Sequence, residues 1–426
     1  MSRHLLGIRS YIPLGALALT LLAPFNGADA AKLKTLYSFA GGGSDGAYPV
    51  SSLFADGTGN YYATTAGGGG TGCTGGGCGT VFKLASDGTE SVLYSFKGTT
   101  DGASPYSSLI ADSAGNFYGT TYAGGGTGCS GNGCGTVYKL ASDGTESVLY
   151  AFQDGADGAQ PYAPLVMDKK GNLYGTVPFG GTGCSGVGCG TVFKVSAKGI
   201  FTVLYSFTGG SDGADPYSGV FMDKKGNLYG AAASGGTANS DCDSGYCGTV
   251  FKLSPAGTLT VLYAFKGGSD GANPSLALTA GKNGEIYGPT YYGGDYTNCP
   301  TYGCGTIFKL AADGSKTTLY SFTGESDGLT PGGYGVSVDK SGNLFVTTIA
   351  GGDFDCGSDG CGTLDEISAK GAEKTLHTFT DGKDGAFSYS RPLIGKRDKL
   401  YGTAEIGGTD NANCAYGCGV VYELKP

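Results

Sequence analysis

The stretch SSLIADSAGNFYGTTYAGGGTGCSGNGCGTVYKLASDGTESVLYAF, residues Ser107–Phe152, decides the fold. It holds four short apolar runs, SLIAD, FYGTT, GTVYKLA and SVLYAF, rich in Val, Tyr, Phe and Thr and separated by Gly, Asp and Asn. That combination belongs to strands joined by tight turns. Helix is excluded by glycine, which makes up 84 of 426 residues. Beyond the N-terminal segment the longest glycine-free windows, such as Ala159–Lys170, contain proline and leave no room for a stable helix.

The same pattern recurs along the chain, marked by cysteine pairs at Cys73/Cys78, Cys129/Cys134, Cys184/Cys189, Cys242/Cys247, Cys299/Cys304, Cys356/Cys361 and Cys414/Cys418. First cysteines lie 55 to 58 residues apart, so each unit is one supersecondary element with its loops. Seven units of four antiparallel strands without helices predict an all-β, seven-bladed β-propeller. The ends sharpen this expectation. LKTLYSF (Leu33–Phe39) is a fourth-strand sequence with no strands before it, and GVVYELKP (Gly419–Pro426) is a third strand with no fourth. The N-terminal strand is therefore expected to complete the last blade, closing the ring and removing free sheet edges. An open solenoid would need atypical capping units at both ends, and none is visible.

Residues 1–30 read as a signal peptide. Arg3 and Arg9 precede the apolar run Leu14–Phe25, and Ala28–Ala30 offers small residues for cleavage. The mature chain, 31–426, is expected to be one propeller domain in the extracellular space or periplasm, monomeric and without a transmembrane segment. An oxidising compartment makes disulfides the expected state of the fourteen cysteines. Each x4 pair closes a short ring that lowers the entropy lost by a glycine-rich loop on ordering. Structural zinc needs four ligands, which these isolated pairs do not supply. The formal net charge is −9, and beyond the export segment only Arg391 and Arg397 are arginines. A polyanionic partner needs a basic patch, so nucleic acid is not expected.

The recurrent LYSF…DGA.PY…L..D..GN.YGTT..GG…GC….CGTVFKL resembles the Gloeo/Verruco tandem repeat of bacterial exported proteins over residues 33–426, and LIADSAGNFYGTT is similar to an NHL-type propeller strand pair. The resemblance implies a propeller and no particular activity, because function on a propeller belongs to its sites. Members of the repeat family often carry C-terminal surface anchors. Here the chain ends at Pro426, from which a freely secreted protein is expected.

In a four-stranded blade, the D..GN and SDG turns share one rim, and the cysteine loops and DGA.PY segments share the other. Turn duty is the expected role of the D..GN and SDG residues. On the cysteine rim, Tyr106, Tyr162 and Tyr217 follow the DGA motif, and Tyr122, Phe179, Tyr291 and Tyr292 precede the glycine loop. Tyrosine offers an apolar plate with a hydrogen-bonding edge, which suits sugar binding, and packing between blades is the competing role. The DGA aspartates, including Asp101, Asp157 and Asp212, form a candidate carboxylate ring for Ca2+ or cationic groups, with turn capping as the alternative. No cofactor is otherwise expected.

Departures from the repeat collect near the C-terminus: Asp365 and Glu366 in GTLDEIS, Arg391 in SYSRPL and Glu405 in TAEIGG. Asp384, Arg391 and Glu405 form a candidate catalytic cluster for an exported glycosidase or lyase. His377 is the only histidine outside the export segment and occupies a tyrosine position in LHTF, an arrangement that argues against a Ser-His-Asp triad. The expected function is a secreted, non-catalytic binding module for a polysaccharide or an envelope protein, with the carbohydrate-active enzyme as the alternative.

Overall fold

The computed structural model describes residues 32–426 apart from 71, 74–75, 185, 238–241, 243–246, 333, 353–355, 358–359 and 410. The export segment read at 1–30 lies outside the described residues. The chain forms seven antiparallel blades. Blade 2 runs from the inner Ile110–Ala111 through Phe117–Thr121 and Thr136–Leu140 to the outer Glu146–Ala151. Blade 6 gains an extra strand, Leu329–Pro331, beside Leu344–Ala350. Among the described residues the helical elements are three-residue 3-10 turns such as Cys129–Gly131. The ring closes as expected: Lys32–Ser38 pairs antiparallel with Val420–Lys425, with Lys32 opposite Lys425 and Ser38 opposite Val420.

Each third strand is flanked on both faces by neighbouring blades, which explains its apolar run. Its central aromatic is Phe82, Tyr138, Phe193, Phe251, Phe308 or Tyr422 in six blades, and all six are fully buried. Each meets the last phenylalanine of the preceding blade's fourth strand, for example Phe39 with Phe82 at 5.0 Å and Phe265 with Phe308 at 5.2 Å, edge to face. In every blade the pairing of third and fourth strands slips by one residue at the leucine of the LYSF motif, as at Leu93 between Tyr94 and Val92. A bulge at this position raises local twist.

Two further devices repeat around the ring. The tyrosine of each LYSF motif donates its hydroxyl to the aspartate of the following DGA, as Tyr94 does to Asp101 at 2.7 Å and Tyr320 to Asp327 at 2.7 Å. The second cysteine of each loop accepts, through its carbonyl, a backbone N–H from the next blade. Ser104 donates to Cys78 at 2.9 Å, Gln160 to Cys134 at 2.8 Å, Asp215 to Cys189 at 3.0 Å and Asn273 to Cys247 at 2.9 Å. Thr330 donates to Cys304 at 2.8 Å, Phe387 to Cys361 at 3.1 Å and, across the closure, Tyr48 to Cys418 at 2.9 Å. In all seven copies the donor is a non-glycine residue at positive φ, such as Ser104 at 53° and Asp215 at 56°. Backbone strain of this kind persists where surrounding contacts over-determine it.

All seven cysteine pairs are disulfide-bonded, as expected, with Cα separations from 5.1 to 5.4 Å. The second cysteine of every pair is buried, Cys78, Cys134, Cys189, Cys247, Cys304, Cys361 and Cys418, and Cys242 and Cys414 are buried as well. The second cysteine lies two residues before the buried third strand, so it enters the apolar seam between blades instead of standing on the loop surface. Cys189 packs in one cluster with Phe207 and Phe251, Cys247 with Phe265 and Phe308, Cys304 with Phe322 and Val346, and Cys361 with Phe379 and Tyr422. Each disulfide thus ties the rim loop to the core and pins the carbonyl that holds the next blade.

Candidate functional site

The clamp between blades sets the site. Two residues after the clamped position, the chain turns a side chain toward the mouth of the ring on the cysteine rim. Blades 2, 3, 4 and 7 place Tyr106, Tyr162, Tyr217 and Tyr389 there, and blades 1 and 5 place Val50 and Ser275. At the end of each second strand a further side chain joins them: Tyr122 in blade 2, Tyr291 in blade 5 and Glu405 in blade 7.

These residues enclose two adjoining lobes. One, of about 500 Å³, is lined by Val50, Tyr106, Tyr122, Tyr162, Phe179, Tyr217, Tyr389 and Glu405. The other, of about 360 Å³, shares Tyr162, Tyr217 and Tyr389 and adds Tyr291, Tyr292, Tyr334, Ile349 and small residues of blade 5. Tyr106 and Tyr162 stack at 5.0 Å, with Tyr122 edge-on to Tyr106 at 5.6 Å. Tyr334 is buried; it leaves blade 6, packs 6.4 Å from Tyr162 and donates its hydroxyl to the Tyr106 carbonyl of blade 2. It thereby crosses the ring and floors the mouth. A larger concavity of about 1100 Å³ lies on the opposite rim, lined by mixed charges including Lys282, Lys340, Arg397, Asp339 and Asp398. It lacks the convergence of aromatic plates seen at the mouth.

Burial raises the Glu405 carboxyl above its usual range, and no ion pair reaches it among the described residues. Burial and then the Glu405 charge push the phenols of Tyr106 and Tyr389 upward. Tyr217 is pushed up to about 12 by burial and by Asp215 beside it. The phenols are neutral hydroxyls that can donate or accept.

The structure brings Tyr106, Tyr122, Tyr162, Tyr217, Tyr291 and Tyr292 together at this mouth. It does not bring the aspartates there. Asp101 is buried and accepts from the Tyr94 hydroxyl and the Lys97 N–H. Asp157 accepts from the Tyr150 hydroxyl at 2.8 Å and the Gln153 N–H, and Asp212 from the Tyr205 hydroxyl at 3.0 Å and the Thr208 N–H. The carboxylates are taken up by the fourth strand of the preceding blade and by the N–H groups of the turn that follows it, the capping role weighed against a ring at the channel mouth.

The catalytic cluster is likewise not assembled. Asp384 bonds His377 at 2.9 Å and Thr380 at 2.7 Å; burial raises its carboxyl, but these hydrogen bonds hold it below the usual range. His377 therefore replaces the tyrosine as partner of the DGA aspartate. Arg391 donates its backbone N–H to Ser52 Oγ at 2.9 Å; its side chain is exposed and forms no ion pair among the described residues. The surrounding protein still holds its guanidinium below its ordinary pKa. Neither lobe counts Arg391 or Asp384 among its lining residues.

Sequence reasoning missed Tyr334 and Tyr389. Tyr389 lies five residues after Asp384, the spacing that separates Tyr106 from Asp101, and was legible on that ground. Tyr334 sits in TPGGYGV, where one extra residue breaks the repeat's register.

A family profile described as the Gloeobacter/Verrucomicrobia repeat matches residues 74–302, more than half the chain. The chain belongs to that repeat family. No curated protein matches this Gloeobacter/Verrucomicrobia repeat protein in sequence. Among solved structures it is similar to the extracellular domain of a one component system from B. thetaiotaomicron, at 13% identity and a TM-score of 0.51, over 93% of this chain and 42% of that one. It is also similar to puromycin hydrolase, an S511A mutant complexed with PGG, at 12% identity and a TM-score of 0.51, over 84% and 50%. A Niastella koreensis GH74 enzyme is similar at 16% identity and a TM-score of 0.43, over 80% and 46%. This repeat protein spans about half the length of these three chains, and likeness at such identities establishes the propeller fold alone.

Proposed function

We propose that this protein is an exported, non-catalytic propeller that binds polysaccharide through the tyrosine mouth on its disulfide-bearing rim. The observation carrying this reading is the convergence of eight tyrosines and Phe179, drawn from six blades, on two adjoining lobes. Aromatic plates with hydroxyl edges match the faces and rims of sugar rings. The seven disulfides fit an oxidising compartment outside the cytoplasm.

The enzymatic alternative is less well supported. Glycoside hydrolysis ordinarily uses two carboxyl groups flanking the bond, whereas Glu405 is the one carboxylate among the lining residues of the two lobes. A glycan array probed with residues 31–426 tests the proposal. Binding to a polysaccharide, lost in Tyr162→Ala with an unchanged melting temperature, is the expected result. Silence across the array with tight capture of an envelope protein would refute it.

A further inference from the structure

Glu405 breaks the symmetry of the mouth. The equivalent positions in the other blades are Ala66, Tyr122, Pro178, Ala233, Tyr291 and Ile349, none of them charged. Its carboxylate shares a lobe with Tyr106, Tyr122, Tyr162, Phe179, Tyr217 and Tyr389, so the lobe is an aromatic box with one acidic wall. Asp215 adds a second negative charge close behind Tyr217. No lysine or arginine lines either lobe, and no basic side chain pairs with Glu405 among the described residues. An aromatic box attracts cations through its ring faces, most strongly where water is excluded. A carboxylate left unpaired in such a site is a poor neighbour for a neutral or anionic ligand and a good one for a cation.

We infer that the mouth selects a glycan bearing a free amine, a protonated hexosamine polymer, with the ammonium seated between Glu405 and the rings of Tyr106 and Tyr162. This rests on the polysaccharide reading and names its substrate class. The tyrosine faces supply sugar stacking, and the asymmetric carboxylate supplies discrimination between an amine and its acetylated form.

Calorimetric titration of the mature protein with two hexamers of equal length tests the inference. One is N,N,N-trimethylated glucosamine, permanently cationic; the other is N-acetylglucosamine, neutral. The cationic hexamer is expected to bind about tenfold tighter or better. Glu405→Gln should erase that preference with the melting temperature unchanged. Equal binding of the two hexamers, with Glu405→Gln silent, overturns the inference and leaves the polysaccharide reading standing. Failure of both hexamers to bind overturns the inference, and the glycan array decides the polysaccharide reading separately. Preference for the cation that survives Glu405→Gln overturns the role of this carboxylate.

Discussion

Blade 6 carries Asp365 where six blades carry the buried aromatic of the third strand. The side chain is fully buried; Thr363 donates to Oδ2 at 2.5 Å, and Oδ1 has no hydrogen-bond partner among the described residues. Burial, with Glu373 and Asp327 nearby, holds its carboxyl well above the usual range. The reason an aromatic is missing lies across the sheet. Register pairs Gly119 with Tyr138, Gly175 with Phe193, Gly230 with Phe251 and Gly288 with Phe308, whereas Val346 faces Asp365. A Cβ at those glycines would lie 2.6 to 2.9 Å from the ring tip of the partner. Val346 and Asp365 are thus a matched exchange. Asp365→Phe alone should overpack against Val346 at about 1–3 kcal/mol. Val346→Gly alone should cost about 2–3 kcal/mol through lost burial and strand glycine entropy. The double variant restores the ring against Phe322, adding about 1.5–3 kcal/mol of transfer and about 1 kcal/mol of edge contact, and removes the unpartnered carboxyl oxygen. It is expected to be at least as stable as the native chain, so the coupling energy in a urea-denaturation double-mutant cycle is at least the sum of the two single costs, about 3 kcal/mol or more. Additivity within about 0.5 kcal/mol would refute the exchange.

Glu90 and Glu146 sit half-buried near Asp45 and Asp101, each with one carboxyl oxygen lacking a partner among the described residues, and burial followed by those charges pushes both from 4.5 to about 7. The fold favours their protonated forms, so their contribution is intact below pH 4.5 and is lost as pH rises through 7, at about 1 kcal/mol each after solvent screening. Melting curves should fall between about pH 5 and 8, and Glu90→Gln with Glu146→Gln should flatten them; an unchanged slope would sink the account. Cys129→Ser with Cys134→Ser should lower stability by about 2 kcal/mol. Since the Cys134 carbonyl holds Gln160, two residues before Tyr162, the same pair should weaken glycan binding more than Cys242→Ser with Cys247→Ser, whose carbonyl holds Asn273, two residues before Ser275; equal losses in titration would contradict the clamp. Tyr94→Phe leaves buried Asp101 short of one donor and should cost about 1–2 kcal/mol in thermal unfolding, with no effect on binding at the mouth.

Strand order and ring closure were legible because both are linear properties of the chain: a period, and two incomplete units whose missing strands complement each other. Disulfide pairing was legible for the same reason, but not the burial of Cys189, Cys247, Cys304, Cys361 and their counterparts, which depends on how closely the next blade approaches. What the sequence left open concerns direction. Asp101 reads as a mouth residue by its place in the chain, yet its partner Tyr94 lies seven residues earlier on the outer strand, and that spacing recurs up to His377 and Asp384. The histidine exchange was visible, and its meaning required knowing what the tyrosine touched. Asp384, Arg391 and Glu405 are near neighbours in sequence and share one rim, but Asp384 is held by His377 of the preceding blade's outer strand while Glu405 lines the mouth. The Val346 and Asp365 exchange is invisible without strand register.

The mouth is built between blades. Tyr106, Tyr162, Tyr217 and Tyr389 each lie two residues after a residue at positive φ whose N–H is held by the carbonyl of the previous blade's second cysteine, so their direction is set by a neighbour and not by their own sheet. Symmetry then separates two kinds of position. Where the copies agree, as at the third-strand aromatic, the DGA aspartate and the cysteine carbonyl, the residue is engaged with an adjacent blade and is not free to meet a ligand. Where the copies differ, as at Val50, Tyr106, Ser275 and Tyr389, the positions line the mouth, and the repeated clamp does not fix the choice of side chain. Glu405 belongs to this second kind. A repeat fold of this design confines chemical individuality to the few positions its own packing leaves unassigned, and at the mouth those positions are filled with aromatic rings and one carboxylate.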